Sequence, residues 1–258
     1  MSDRVFSHEE TAQYHERGYY SPKRLYTEEE TATWLEEFRA VEGGLRETRG
    51  PGFLRELPTW MGKEDQEHPL ESWVRKIVWD PRLTQAVSEL VPGQLLLRNV
   101  DLFVKEPHTK QGLLWHMDTE YGGEDPDGIV TAWIALTRSR HSNGALWFAP
   151  GSHRRPDVPD PKTEDAAAAA KSYGPPVQVR LNPGEASFHH GRLLHTSGAN
   201  QTPNRRIGLA VRFFGSEVDP KVAKCGSPVV MGSIPLPGIK FKENSAFPFT
   251  WWAPFDNR

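Results

Sequence analysis

The sequence predicts an α+β chain, mainly β, with a sandwich or barrel core. Capping signals and helical spacing fill the first part of the chain, and short apolar or alternating runs follow. Helices first and strands afterwards is the α+β order. Pro and Gly, at 22 each, supply the turns that many short strands need. The 258 residues are enough for one sizeable core, so the chain reads as one domain, 1–258.

Ser7 is followed three residues later by Glu10, a capping box that predicts a helix over about 8–17. Thr27 and Glu30 repeat the pattern ahead of Leu35 and Phe38, which predicts a second helix over 27–42. The N-terminal helices therefore occupy about 7–42. Residues 43–70 mix Gly, Pro and charge, and read as a loop with one short strand at Phe53–Leu57. Leu70–Trp79 and Pro81–Leu90 read as helices. Gln94–Lys105 alternates and is rich in β-formers, so it is a strand. Ile129–Leu136, reading IVTAWIAL, is another. Asn143-Gly144 lies between two apolar runs, a turn signal, and leads into a short strand at Leu146–Ala149.

Residues 154–176 are proline-rich and charged around Ala166–Ala170. They read as a surface excursion with a helical turn or two, and as a candidate lid. Val177–Leu181 is a strand. Asn182–Glu185 turns the chain into Ala186–His189, and Arg206–Phe214 is the last core strand. The β core is thus expected over about 94–214. The tail, 215–258, is expected to pack on it, because Trp251 and Trp252 are costly to expose.

A net charge of -3 with scattered basic residues gives no bias toward nucleic acid or membrane surfaces. The lone Cys225 excludes an intrachain disulfide and suits a reducing cytosol. No base is placed beside it for nucleophilic work. The N-terminus MSDRVFSHEE lacks the apolar run of a secretory signal. No stretch approaches the ~20 apolar residues of a membrane span. These features predict a cytoplasmic protein with no nucleic-acid or membrane partner. They leave the oligomeric state open.

The stretch LLWHMDTEY, 113–121, carries the chemistry. It places His116 and Asp118 two residues apart, and in a strand such side chains share a face. One imidazole and one carboxylate can then grip one ion. Two histidines and one carboxylate with open positions is the set used by non-haem Fe(II) oxygenases. H-x-D alone also describes a surface histidine beside a solvated aspartate. The second histidine must come from elsewhere, and His195, His189 and His190 all compete for the place.

Four segments follow in order: H-x-D at 116–118, NGALWFAPGSH at 143–153, H-x-S-x-x-N-x-T at 195–202, and Arg206. Together they resemble the phytanoyl-CoA dioxygenase (PhyH-like) family of Fe(II)/2-oxoglutarate oxygenases. The resemblance runs from GYYSPKRLYTEEE to about Phe214, most of the chain. It implies a double-stranded β-helix (jelly-roll, cupin-like) core with the metal inside one open end, flanked by the N-terminal helices. It also implies that His116, Asp118 and His195 hold the catalytic metal. Arg206 lies eleven residues after His195, the family's offset for the arginine that binds the C5 carboxylate of 2-oxoglutarate. A planar guanidinium can take a carboxylate through two parallel hydrogen bonds. Only one of Arg205 and Arg206 can face inward from a strand, and the offset selects Arg206.

Ser197 is placed to donate to the same carboxylate. Thr131 and Trp133 share a face toward the cosubstrate pocket, although Trp133 reads equally well as a core tryptophan. Arg212 falls on the Arg206 face by period two. It is a candidate for an anionic substrate group, or else a salt-bridged rim residue. Asn99, Asp101, Phe103 and Lys105 share one face of the strand before H-x-D, and Asn99 and Phe103 are candidates for contact with substrate. Gly144, Pro150, Gly151 and Ser152 read as turn formers, and His153 as structural.

The implied reaction uses Fe(II), 2-oxoglutarate and O2, and releases succinate and CO2. It hydroxylates or otherwise oxidises a C–H bond of a small molecule, such as an amino acid or a natural-product intermediate of secondary metabolism. Halogenases of the same superfamily carry Ala or Gly where Asp118 stands, so Asp118 argues against a chloride site. Two alternatives remain from the residues alone. One is a non-oxidative metal enzyme, a hydrolase or isomerase, but H-E-x-x-H is absent and Arg206 would have no task. The other is a non-catalytic jelly-roll binding module.

Overall fold

The computed structural model describes residues 4–49, 70–91, 93, 95–110, 112–118, 128–154, 165–215 and 249–252. The expected strand at Phe53–Leu57, Cys225 and all of the tail except 249–252 lie outside the described residues.

The capping boxes start the helices as expected. Ser7 and Glu10 bond each other's backbone amides at the head of α1, His8–Arg17. Thr27 and Glu30 do the same before α2, Glu28–Arg49. Helix α2 runs past the expected end at 42. Glycine costs a helix only about 1 kcal/mol each. Buried Trp34 and Phe38, and Glu42 paired with Arg205, tie this helix to the body. Helices α3, Glu71–Val78, and α4, Pro81–Ser88, follow.

Ten strands form two sheets among the described residues. They are β1 Tyr19–Arg24, β2 Leu95–Lys105, β3 Leu113–His116, β4 Ile129–Ala135, β5 Leu146–Phe148, β6 Val177–Gln178, β7 Glu185–His190, β8 His195–Ser197, β9 Arg206–Gly215 and β10 Phe249–Trp252. The larger sheet runs β1-β7-β4-β9-β2-β10 and the smaller β3-β8-β5-β6. All pairings are antiparallel except β10 on β2. Two such sheets face to face, with helices outside, make the jelly roll.

Two strands lie outside the expected core span of 94–214. Strand β1 contains Pro22, which argues against a strand from sequence but is tolerated at a sheet edge. Strand β10 takes the opposite edge, where 249–252 of the tail pair with β2. Strand β6 is shorter than the expected 177–181.

Period-two alternation divides the large sheet. Val100, Leu102, Val104, Val130, Ala132, Ile134, Leu209, Val211 and Phe213 pack under the helices in the main core. The alternate set, including Phe103, Trp133 and Ala210, faces the smaller sheet. Both faces of β4 are therefore buried, which explains its near-continuous apolar run. Helix α5, Asp165–Ser172, lies within the expected excursion. Its Ala169 and Ala170 join Trp115, Met117 and Leu194 in a separate apolar cluster. Trp115 and Met117 flank His116 on the opposite side of the strand, so α5 backs β3 from outside. No described residue of 154–176 lines the pocket below. No helix among the described residues is long and apolar enough to cross a membrane.

Candidate active site

A pocket lies between the sheets, and its walls include His116, Asp118, Thr131, Trp133, His189, His195 and Arg206. Strand pairing assembles it. His116 and His195 are directly opposed across β3 and β8, and their rings lie 4.1 Å apart. The expectation that one strand would present both His116 and Asp118 needs correction. Strand β3 ends at His116, and Asp118 sits in the turn beyond it. The turn, not strand alternation, aims the carboxylate.

One donor atom each from His116, Asp118 and His195 fall within 4.8 Å of one another. Each imidazole is oriented by its own chain. His116 Nδ1 lies 2.8 Å from Leu114 O, and His195 Nδ1 lies 2.9 Å from Leu193 O. A carbonyl only accepts, so Nδ1 carries the hydrogen and Nε2 is left with its lone pair free. Burial pulls both imidazoles below their ordinary value, and for His195 the neighbouring His116 adds to it. Neutral imidazole is the form that binds metal.

Asp118 is buried, and burial opposes its charge. Arg212, His195 and His189 outweigh that and hold it well below the usual carboxylate range. Arg212 Nη2 donates to Oδ1 at 2.8 Å. Thr131 Oγ1 donates to Oδ2 at 2.6 Å, and His189 Nε2 lies 3.1 Å from the same oxygen. The donor set is therefore two neutral imidazoles and one ionised carboxylate, which fits a divalent first-row metal.

Arg206 is 1% exposed and Arg205 is turned away from the pocket onto Glu42 and Glu106. Arg206 lies over the Trp133 ring at 5.0 Å and donates one bond, 2.7 Å, to Gly144 O. Its Nε has no partner, and it makes no ion pair among the described residues. A buried guanidinium without a counter-ion fits an anionic ligand. Burial lowers Arg206 to about 9, so it keeps its charge at neutral pH. Ser197 lines the same corner.

Other expected positions differ. Thr131 does line the pocket, but its hydroxyl is given to Asp118. Arg212, a candidate for an anionic substrate group, lines the pocket with its guanidinium paired to Asp101 and Asp118. Phe103 lines the pocket, whereas the Asn99 side chain lies outside the described ones. The sequence reading assigned no role to Lys105, Asp101 or His189 as supports of the site. Strand alternation put Asp101 and Lys105 on the pocket face, but their partners Arg212 and Ser197 come from strands far away in the chain.

A jelly roll that presents two imidazoles and one carboxylate in an internal pocket has the architecture of the non-haem iron oxygenases. The family profile of phytanoyl-CoA dioxygenase (PhyH) matches residues 14–208, and the chain belongs to that family. A probable phytanoyl-CoA dioxygenase of Caenorhabditis elegans is 28% identical over 154 residues, 54% of this chain and 49% of that protein. The match thus spans about half the length of that relative. A probable alpha-ketoglutarate-dependent hypophosphite dioxygenase of Stutzerimonas stutzeri is 22% identical over 236 residues, 85% of this chain and 82% of that one. The crystal structure of SnoK, a non-heme alpha-ketoglutarate-dependent carbocyclase from nogalamycin biosynthesis, superposes with a TM-score of 0.66 at 25% identity. It covers 89% of this chain and 95% of its own.

Proposed function

We propose that the chain is an Fe(II)- and 2-oxoglutarate-dependent oxygenase. It hydroxylates, or otherwise oxidises, a C–H bond of a small molecule, with release of succinate and CO2. The observation that carries this reading is one pocket holding both a His116–Asp118–His195 donor set and a buried arginine with no counter-ion among the described residues. A zinc hydrolase would use the first and leave Arg206 idle.

In this reading His116 and His195 bind through Nε2, and Asp118 binds through its carboxylate. Thr131, His189 and Arg212 hold that carboxylate in place. Arg206 and Ser197 receive the distal carboxylate of 2-oxoglutarate, and Trp133 forms a wall of its site. The bound iron, with O2 and 2-oxoglutarate, supplies the oxidising chemistry. The protein's part is to orient the reactants and exclude water, for which Phe103, Leu113 and Leu146 give apolar walls. The substrate is a small organic molecule, and the likeness to SnoK supports an intermediate of specialised metabolism.

The test is succinate formation from 2-oxoglutarate with iron and oxygen across a panel of small molecules, with product identified by mass spectrometry. His195→Ala should abolish iron binding and turnover while the fold persists. Full turnover in that variant would transfer the role to His189 or His190.

A further inference from the structure

Lys105 is a buried lysine on β2 that reaches the pocket corner from behind. It is not itself a lining residue. It donates to Ser197 Oγ at 2.8 Å and also to Gly198 O. In the β2–β9 register it pairs with Arg206. Both side chains close on Gly144: Arg206 bonds its carbonyl, and a Cβ there would stand 3.0 Å from Lys105 Nζ and 2.4 Å from Gly198 O. Gly144 also has φ +82, so a side chain is excluded by space and by backbone conformation.

Two buried basic side chains therefore stand side by side. Arg206 faces Lys105 from β9, Ser197 and Gly198 face it from the end of β8, and Gly144 faces it from the turn before β5. Asn200 clamps its backbone by donating to Lys105 O at 3.0 Å. Neighbouring Glu106 is turned to Arg205. No carboxylate pairs with Lys105 or Arg206 among the described residues.

Hydrogen-bond direction gives Lys105 a second task. Once protonated, its ammonium group can only donate, so Ser197 Oγ accepts from it. The serine's own hydrogen is then free to point into the pocket.

We propose that Lys105 is a positioning residue for the distal carboxylate of the cosubstrate: it aims the Ser197 hydroxyl at that carboxylate and takes up a proton when the dianion binds. The proposal rests on the 2-oxoglutarate reading above. Without the anion, burial and then Arg206 push Lys105 down to about 6, so near neutral pH it is largely uncharged. A bound carboxylate reverses that balance. The proton then joins the Lys105 amine from solvent, and no covalent bond changes.

The experiment is calorimetry of 2-oxoglutarate binding to the full-length protein preloaded with Ni(II). It is run near neutral pH in buffers of different ionisation enthalpy, so that protons are counted separately from metal binding. Wild type should take up about one proton per cosubstrate, and its affinity should fall toward tenfold per pH unit as pH rises above neutral. Lys105→Met should bind at least about tenfold more weakly, the loss one charge-assisted hydrogen bond carries, and should take up no proton. Its Ni(II) affinity should match wild type. A wild type that binds 2-oxoglutarate without proton uptake overturns the proposal, and so does a Lys105→Met that keeps wild-type affinity and proton count. The wild-type count stands even if the variant does not fold. A wild type that does not bind 2-oxoglutarate removes the functional reading itself.

Discussion

Arg205 and Arg206 are neighbours with opposite surroundings. Arg205 has two carboxylates, and Arg206 has an aromatic face, one carbonyl and an unpartnered Nε. Removing one partner of a buried charge pair costs ~3–5 kcal/mol. Arg206→Ala should therefore weaken 2-oxoglutarate binding by orders of magnitude in calorimetry. Arg205→Ala should leave that binding nearly unchanged and instead lower the melting temperature, because Glu42 is buried and would lose its cation. The reverse ranking would exchange their roles. That only one of the pair faces inward follows from strand alternation. That Arg206 has no counter-ion among the described residues does not, since it depends on every strand that closes the pocket.

At the scale of elements, the pocket depends on how closely β9 approaches β4. Gly208 lies beneath Trp133, and a Cβ there would stand 2.1 Å from Trp133 Cζ2. The ring it supports carries Arg206 on its face. Gly208→Val should push the indole out of place, with a destabilisation of ~1–3 kcal/mol from overpacking. Urea unfolding should show that loss, and calorimetry should show weaker cosubstrate binding. Unchanged values of both would mean that Trp133 moves freely and forms no fixed wall. Alternation made the two faces of β2, β4 and β9 readable in advance. It could not show that β3 stops at His116, because the residues that terminate it act through the turn and through pairing with β8. Helix α5 was equally hidden: its alanines signalled a helix, but only packing on Trp115 and Met117 shows that it braces the ligand-bearing strand.

For the whole molecule, the metal donor set links stability to pH. His116 and His195 are held below the ordinary histidine value of 6.5 in the fold but recover it on unfolding. Below that value the unfolded chain binds more protons, so stability falls as pH falls through it. Asp118, depressed below its ordinary 3.8, adds stability that is present above that value and lost further into acid. The metal-free protein should melt at progressively lower temperature from neutral to mildly acid pH. Ni(II) should raise the melting temperature by mass action, most at the higher pH. A flat profile across that range would show that the imidazoles are not held neutral by the fold.

The sequence by itself determined the helix starts, through Ser7–Glu10 and Thr27–Glu30. It determined which strand faces are apolar, and the kinds of donor offered at His116, Asp118 and His195. These are local properties, written in spacing and side-chain chemistry. Tertiary structure alone decided which groups meet. Thr131, His189 and Arg212 converge on Asp118 because the β4–β7 and β4–β9 registers place both His189 and Arg212 opposite Thr131. Lys105 meets Ser197 across 92 residues of chain. Such pairs form because closing two sheets leaves each buried charge no water and only the partners that register brings within reach.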